Sequence, residues 1–138
     1  MSDLLKRRDT TQATLDHFAS KPFDWRTGAT CVHLVRKQLV GMGHTPPPMK
    51  AFRSALTARR ALQSKGWGDL AQMMDSLLTP IAPSRAILGD IVEMPSDDAT
   101  FGALAVVMGN GRIMGYLGET DLLTIAQPTV IPVAAWRT

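Results

Sequence analysis

The stretch ALAVVMGNGRIMGYLG, Ala103 to Gly118, decides the fold class of this 138-residue chain. Two apolar runs flank Gly109-Asn110-Gly111, a sequence typical of a tight turn between antiparallel strands. The first run is apolar on both faces, which indicates a buried central strand. We therefore predict a hairpin with strands at about 103–108 and 112–117.

Two further strands are predicted beside this hairpin. GDIV, Gly89 to Val92, combines a turn with a short apolar run, and we place its strand at about 90–94. TVIPVAAWRT closes the chain with a strand at about 132–136. Pro132 marks that strand as an edge strand or a bulge, because proline has no N–H to donate.

The first half of the chain has helical rather than strand patterns. Four helices are predicted, at about 10–19, 30–41, 51–65 and 68–78. Asp9 has the spacing of an N-cap for the first helix. Cys31 shares one apolar face of the second helix with Leu34, Val35 and Leu39. Helices followed by an antiparallel sheet indicate an α+β fold, which we assign to one domain over residues 1–138.

Composition argues against several other classes of protein. The net charge is +3, but Lys and Arg occur as scattered pairs among acidic residues and aromatics make up 6%, so no nucleic-acid interface is predicted. No apolar run approaches the roughly 18 residues of a membrane span. The Asp97-Asp98 pair lacks the ligand pattern of a calcium loop, and no helix follows the GNG turn as a phosphate loop requires. We therefore predict no metal and no cofactor.

The order of these motifs resembles that of the NlpC-type cysteine peptidases, papain-like enzymes that cleave cell-wall peptides. In that family a cysteine begins the helix that packs on the sheet, and a Gly-Asp motif opens the first strand. The next strand begins with the catalytic histidine. Here Cys31, Gly89-Asp90 and the run from Ala103 occupy those places. The resemblance implies a papain-like α+β fold with Cys31 in the first turn of its helix, facing the sheet.

The sequence is also similar to a family of small proteins encoded in the tail modules of tailed phages and prophages, distant relatives of those peptidases. The shared pattern covers nearly the whole chain. It consists of Pro22, Phe23, Trp25, Cys31, Gly41 or Gly43, Gly89-Asp90 and Ala135-Trp136-Arg137. This resemblance implies a component of a phage tail tip or baseplate.

The chain departs from the peptidase pattern where the histidine should be. That position is Ala103, or Gly102 or Phe101 if the alignment shifts by one or two residues, and none of these can take a proton from a thiol. Thr30 stands where the tail-module family usually has Asp. We therefore predict a degenerate peptidase domain in which Cys31 is a packed, vestigial thiol. A catalytic Cys31, or one with a redox or modification role, is the alternative.

The three histidines of the chain do not restore the missing base. His33 is two residues from Cys31 on one helix, and two residues rotate by about 200°, so it should point away from the thiol. His17 belongs to the first helix and His44 precedes a proline run, whereas the family places its base on the sheet. His17 and His44 are the first candidates if the enzyme interpretation holds.

The predicted function is therefore structural. We expect a protein of the virion tail, made in the cytoplasm of a bacterial host, that contacts other tail-tip proteins within a larger complex. Its candidate interface residues, each of which could equally be core, are Trp67, Met73, Met74 and Trp136. The alternative function is an active cysteine peptidase or amidase that cleaves host peptidoglycan peptides, and a binding module with no phage role is a third.

Overall fold

A computed structural model describes residues 2–96, 103–118 and 120–138 of the chain. Its helices are α1 (Ser2–Phe18), α2 (Cys31–Gly41), α3 (Ala55–Ser64) and α4 (Leu70–Leu77), and a short 3₁₀ helix spans Pro83–Arg85. Its strands are β1 (Thr79–Ile81), β2 (Ile91–Met94), β3 (Ala103–Gly109), β4 (Arg112–Gly115), β5 (Thr124–Ala126) and β6 (Ala134–Arg137). Residues 97–102, which include the Asp97-Asp98 pair, lie outside the described residues.

The six strands form one antiparallel sheet in the order β1-β6-β2-β3-β4-β5. Strand β3 lies between β2 and β4, and its residues Leu104, Ala105 and Val106 are buried on both faces of the sheet. The predicted α+β class and the predicted central strand are both confirmed.

The GNG turn explains why the hairpin could be predicted from a local pattern. Gly109, Asn110 and Gly111 have φ angles of 86°, 55° and 75°. Three consecutive residues in the left-handed region are strained for most L-amino acids, whereas glycine and asparagine adopt it readily. The register shifts between Val107 and Gly109, so a bulge accompanies the turn.

Two predictions are wrong, one about where the first helix begins and one about where the last strand lies in the sheet. Helix α1 begins at Ser2, so Asp9 lies inside it and caps nothing. The last strand is not an edge strand, because β6 lies between β1 and β2 and begins two residues after Pro132. The missing N–H of Pro132 therefore costs the sheet no hydrogen bond. Strands β1 and β5, three residues each, occupy the edges instead.

The helices cover one face of the sheet and form the main core with it. Its largest fully buried apolar side chains are Leu34, Leu39, Leu70, Met74, Ile91, Leu104, Met114 and Trp136. A second, smaller cluster consists of Val92, Met94, Ala105, Ile113 and Ala135. Because side chains alternate along a strand, neighbouring residues of β2 and β3 belong to different clusters.

A buried polar network fixes α2 against α1 and the Gly-Asp turn. The Gln38 amide donates to Thr11 Oγ1 (3.1 Å) and to the carbonyl of Gly89 (3.2 Å), and it accepts from Thr14 Oγ1 (2.8 Å). Asp90 is fully buried and pairs with Arg7 at 2.9 Å. These bonds set the position of the helix that carries Cys31.

Candidate active site

Cys31 is the first residue of α2 and is 7% exposed. It belongs to the same buried cluster as Leu104 and Val106 of β3. Its predicted position, in the first turn of a helix that packs on the sheet, is therefore confirmed. Whether the thiol is catalytic or only packed stays a prediction.

Thr30 begins the helix directly before the cysteine. Its backbone is extended, with φ −137° and ψ 171°, and its hydroxyl accepts from the backbone N–H of His33 at 3.4 Å. A threonine hydroxyl is a good N-cap because it satisfies an amide with no partner inside the helix. Thr30 thus stabilises the end of the helix from a fully buried position.

The ring of His33 has partners for both of its nitrogens. Nε2 lies 2.9 Å from the carbonyl of Lys50, and Nδ1 lies 2.7 Å from Thr30 Oγ1. Because a carbonyl only accepts, Nε2 must carry the proton. Burial lowers the pKa of His33, nearby Arg36 lowers it further, and the Lys50 hydrogen bond opposes both. His33 therefore links α2 to the loop at Lys50. The lone pair on Nδ1 accepts from the hydroxyl of Thr30.

The other two histidines also contact groups other than the thiol. His17 Nε2 lies 3.1 Å from Lys21 Nζ, and the ring stands edge-to-face on Phe18 with centroids 4.7 Å apart. Burial, followed by the charges of Lys21 and Lys37, lowers the pKa of His17. His44 Nε2 lies 3.2 Å from the carbonyl of Thr138. In the described part of the chain, no histidine ring is hydrogen-bonded to Cys31.

Ala103, the residue that the sequence resemblance aligns with the catalytic histidine, is the first residue of β3. It packs against the smaller cluster with Ala105, not against the cluster that holds Cys31. Its methyl group cannot exchange a proton. The two positions reached by shifting the alignment, Gly102 and Phe101, lie outside the described residues.

An aromatic group fixes the segment that precedes Cys31. Phe23 stands edge-to-face on Trp25 and on Tyr116, with ring centroids 5.7 and 5.5 Å apart. The Tyr116 hydroxyl donates to the carbonyl of Lys21 at 3.0 Å. Burial raises the pKa of Tyr116 to about 12, so this phenol stays protonated and offers no base at neutral pH. The sequence analysis placed Tyr116 in the second hairpin strand without assigning it a role, whereas β4 ends one residue before it.

The structure buries three of the four candidate interface residues. Met73, Met74 and Trp136 are 5%, 0% and 1% exposed, which favours the alternative that they are core. Trp136 also donates to Asp75 Oδ1 at 2.9 Å. Trp67 is half-buried against the main core, and its role at an interface stays a prediction.

The described residues, 2–96, 103–118 and 120–138, contain no grouping of metal-binding side chains and no membrane-spanning helix. No group of three or more His, Cys, Asp or Glu side chains there is arranged to hold a metal ion. None of the described helices is long and apolar enough to span a bilayer.

Comparison with solved structures defines the class of fold. The chain is similar to the NlpC/p60 domain of the peptidoglycan hydrolase SagA, with a TM-score of 0.60 and 16% sequence identity over 94% of this chain and 97% of that one. The fold is therefore an NlpC-type, papain-like α+β fold, as the cysteine helix, the Gly-Asp turn and the hairpin predict. An identity this low carries the fold and not the activity.

The chain belongs to a family described as a domain of unknown function, DUF6950, whose sequence model matches residues 4–138. No curated protein matches the sequence.

Proposed function

We propose that this chain is a non-catalytic NlpC-type domain that contacts neighbouring proteins in the tail tip or baseplate of a tailed phage or prophage. The likeness to a peptidoglycan hydrolase domain supports descent from an enzyme fold. The resemblance to the tail-module family supplies the setting, the virion tail assembled in a bacterial host.

The surroundings of Cys31 carry the non-catalytic part of the proposal. A papain-like mechanism needs a thiolate and a histidine that takes its proton. Cys31 belongs to a buried cluster of apolar side chains. His33, the histidine nearest in sequence, has both ring nitrogens engaged with Thr30 and Lys50.

An exposed apolar segment supports the role in contacts between proteins. Val130, Ile131 and Val133 are 55%, 80% and 60% exposed, and Pro132 stands among them. Isolated surface apolar residues are ordinary, whereas adjacent ones of this size are typical of an interaction surface. This segment replaces the buried Met73, Met74 and Trp136 as the surface that we expect to meet a neighbour.

Tail incorporation tests the proposal directly. In a phage that encodes this chain, we expect Cys31→Ser to leave the titre and the amount of protein in purified tails within about twofold of wild type, since a thiol that is only packed contributes little. We expect the double variant Ile131→Asp, Val133→Asp to lower incorporation by about tenfold or more. Val40→Asp, at another exposed apolar residue, is the matched control.

Chemistry tests the rival function. The purified protein should digest no muropeptides, and iodoacetamide should label Cys31 only as the pH approaches or exceeds about 8.5, the ordinary thiol pKa. Labelling that saturates at about pH 6, well below the ordinary thiol pKa, with muropeptide digestion lost in Cys31→Ser, would replace this proposal with a cysteine peptidase.

A further inference from the structure

An apolar cavity of about 240 Å³ opens beside the first turn of α2. Its floor is part of the main core, because Val32, Phe52 and Leu62 are at most 8% exposed and yet line the cavity. Two exposed lysines, Lys50 and Lys65, also line the cavity. The cavity is thus an apolar opening with positive charge on its lining.

The cavity is held open by hydrogen bonds to the loop that forms one of its walls. His33 binds the carbonyl of Lys50 at 2.9 Å, and Arg36 Nε donates to the carbonyl of Pro47 at 2.9 Å. The other wall is one face of α3, which contributes Ala58, Ala61 and Leu62 at helical spacing, together with its C-cap residue Lys65. Because both walls are anchored to core elements, a ligand would enter a preformed site.

The chain segment that forms the cavity contains basic residues and no acidic ones. Residues 25–68 contain eight of the fifteen Lys and Arg residues of the chain and none of its twelve Asp and Glu residues. The eight are Arg26, Arg36, Lys37, Lys50, Arg53, Arg59, Arg60 and Lys65. The scattered basic pairs of the whole chain therefore conceal one segment with uninterrupted positive charge. Among the described residues, none of these eight is in an ion pair with a carboxylate.

We propose that this cavity binds an acidic segment of a partner protein through one large apolar side chain, with neighbouring carboxylates held by Lys50 and Lys65. The inference rests on the proposed role in contacts between proteins and adds the chemistry of one partner. Lys50 and Lys65 place two positive charges on one lining, and neither is in an ion pair with a carboxylate among the described residues, so an anionic partner would be attracted to it.

The size and lining of the cavity favour a peptide over the other polyanion, nucleic acid. Pockets for whole small molecules are usually about 300–1,000 Å³, so this one suits a single side chain with its flanking backbone. Binding of single strands uses exposed rings on which bases stack, but Phe52, the aromatic residue of the lining, is 8% exposed. An aliphatic or aromatic peptide anchor matches such an apolar floor.

Fluorescence anisotropy with the full chain tests the proposal. The probe is a labelled peptide of about seven residues, with acidic residues on both sides of a central leucine. We expect a dissociation constant on the order of 100 μM or tighter. Replacing the central leucine with asparagine should weaken binding by about tenfold or more, because the peptide then no longer buries an aliphatic side chain in the cavity. Replacing the acids with their amides should weaken it by a similar factor, as should raising salt from about 0.05 M to about 0.5 M.

Two matched pairs of variants assign the binding to this cavity. Ala61→Leu fills it with a good helix former and should weaken binding about tenfold, whereas Ala55→Leu, at an exposed residue of α3 that does not line the cavity, should not. Lys50→Glu should weaken binding more than Arg60→Glu, which changes net charge equally but lies off the lining face of α3. Circular dichroism and thermal melting check that each variant is folded.

Several results would overturn the proposal. Equal binding of the asparagine peptide, or equal effects within each pair of variants, would remove the cavity as the site. An oligothymidylate that binds tighter than the peptide and competes with it would replace the peptide with nucleic acid. Self-association abolished by Lys50→Glu, without peptide binding, would identify a second copy as the occupant. A failed peptide test with normal tail incorporation would leave the proposed function standing.

Discussion

Two buried side chains of helix α2, Cys31 and Gln38, differ in their surroundings. At its first turn, Cys31 lies among apolar side chains. Two turns later, Gln38 is fully buried and its amide makes three hydrogen bonds, to Thr11, to Thr14 and to the carbonyl of Gly89. The hydrogen bonds of Gln38 thus hold the helix in place, whereas no histidine ring in the described residues is hydrogen-bonded to Cys31. The predictions below test this difference.

Breaking the Asp90 network should have the largest effect. The carboxylate accepts from Arg7, from the backbone N–H of Thr138 and from that of Ile87, at 2.9 to 3.0 Å. Asp90→Ala would leave the buried Arg7 guanidinium without its inner partner. We expect a loss of about 3–5 kcal/mol in the free energy of unfolding, or roughly 10–20 °C in melting temperature.

A surface pair provides the control for that measurement. Asp9 pairs with Arg8 at 3.0 Å, and both side chains are largely exposed. Asp9→Ala should therefore cost at most about 1 kcal/mol. If urea denaturation gave the two aspartate variants equal stability, the buried network would not be what holds α1 to the sheet.

Gln38→Met should have the next largest effect. The substitution keeps the side-chain length and removes the amide, but two partners keep other bonds: Thr14 to the carbonyl of Thr10, and the carbonyl of Gly89 to Thr138. We therefore expect a cost of about 1–2 kcal/mol rather than more. The exposed Gln12→Met, on the surface of α1, should change stability little. If Gln38→Met left the free energy of unfolding unchanged, packing alone would be what positions the helix.

These differences show what the sequence could and could not predict. The GNG hairpin and the face shared by Cys31 and Leu34 are local patterns in the sequence. The two hairpin strands and the position of Cys31 in its helix could therefore be predicted from the sequence alone. The first turns of α1 were missed because Arg7 is held by Asp90, 83 residues away. Two of the histidine partners were missed for the same reason, since Lys50 is 17 residues from His33 and Thr138 is 94 from His44.

Cys31→Ser tests the first half of α2. A packed thiol replaced by a hydroxyl loses some apolar contact and gains a group that prefers a hydrogen bond, so we expect a cost of about 1 kcal/mol or somewhat more. Thermal melting of the purified variant measures it, with Cys31→Ala as the variant that changes size without adding polarity. A gain in stability on Cys31→Ser would contradict the packed interpretation, because relief on mutation is typical of a strained functional site.

The pH dependence of stability, the smallest expected effect, tests the residue that joins α2 to the wall of the cavity. Burial lowers the pKa of His33 in the folded chain, so the unfolded chain binds a proton more readily. Stability contributed by neutral His33 should therefore be complete above about pH 6.5, the ordinary histidine value, and decline as the pH falls towards the lowered folded pKa. His33→Gln should flatten this decline when unfolding by urea is measured from about pH 7.5 to about pH 5. His17, whose pKa is also lowered, is an exposed residue, so His17→Gln should flatten it less. Equal slopes in wild type and His33→Gln would show that protonation leaves the bonds to Thr30 and Lys50 intact, and the cavity wall would then be insensitive to acid.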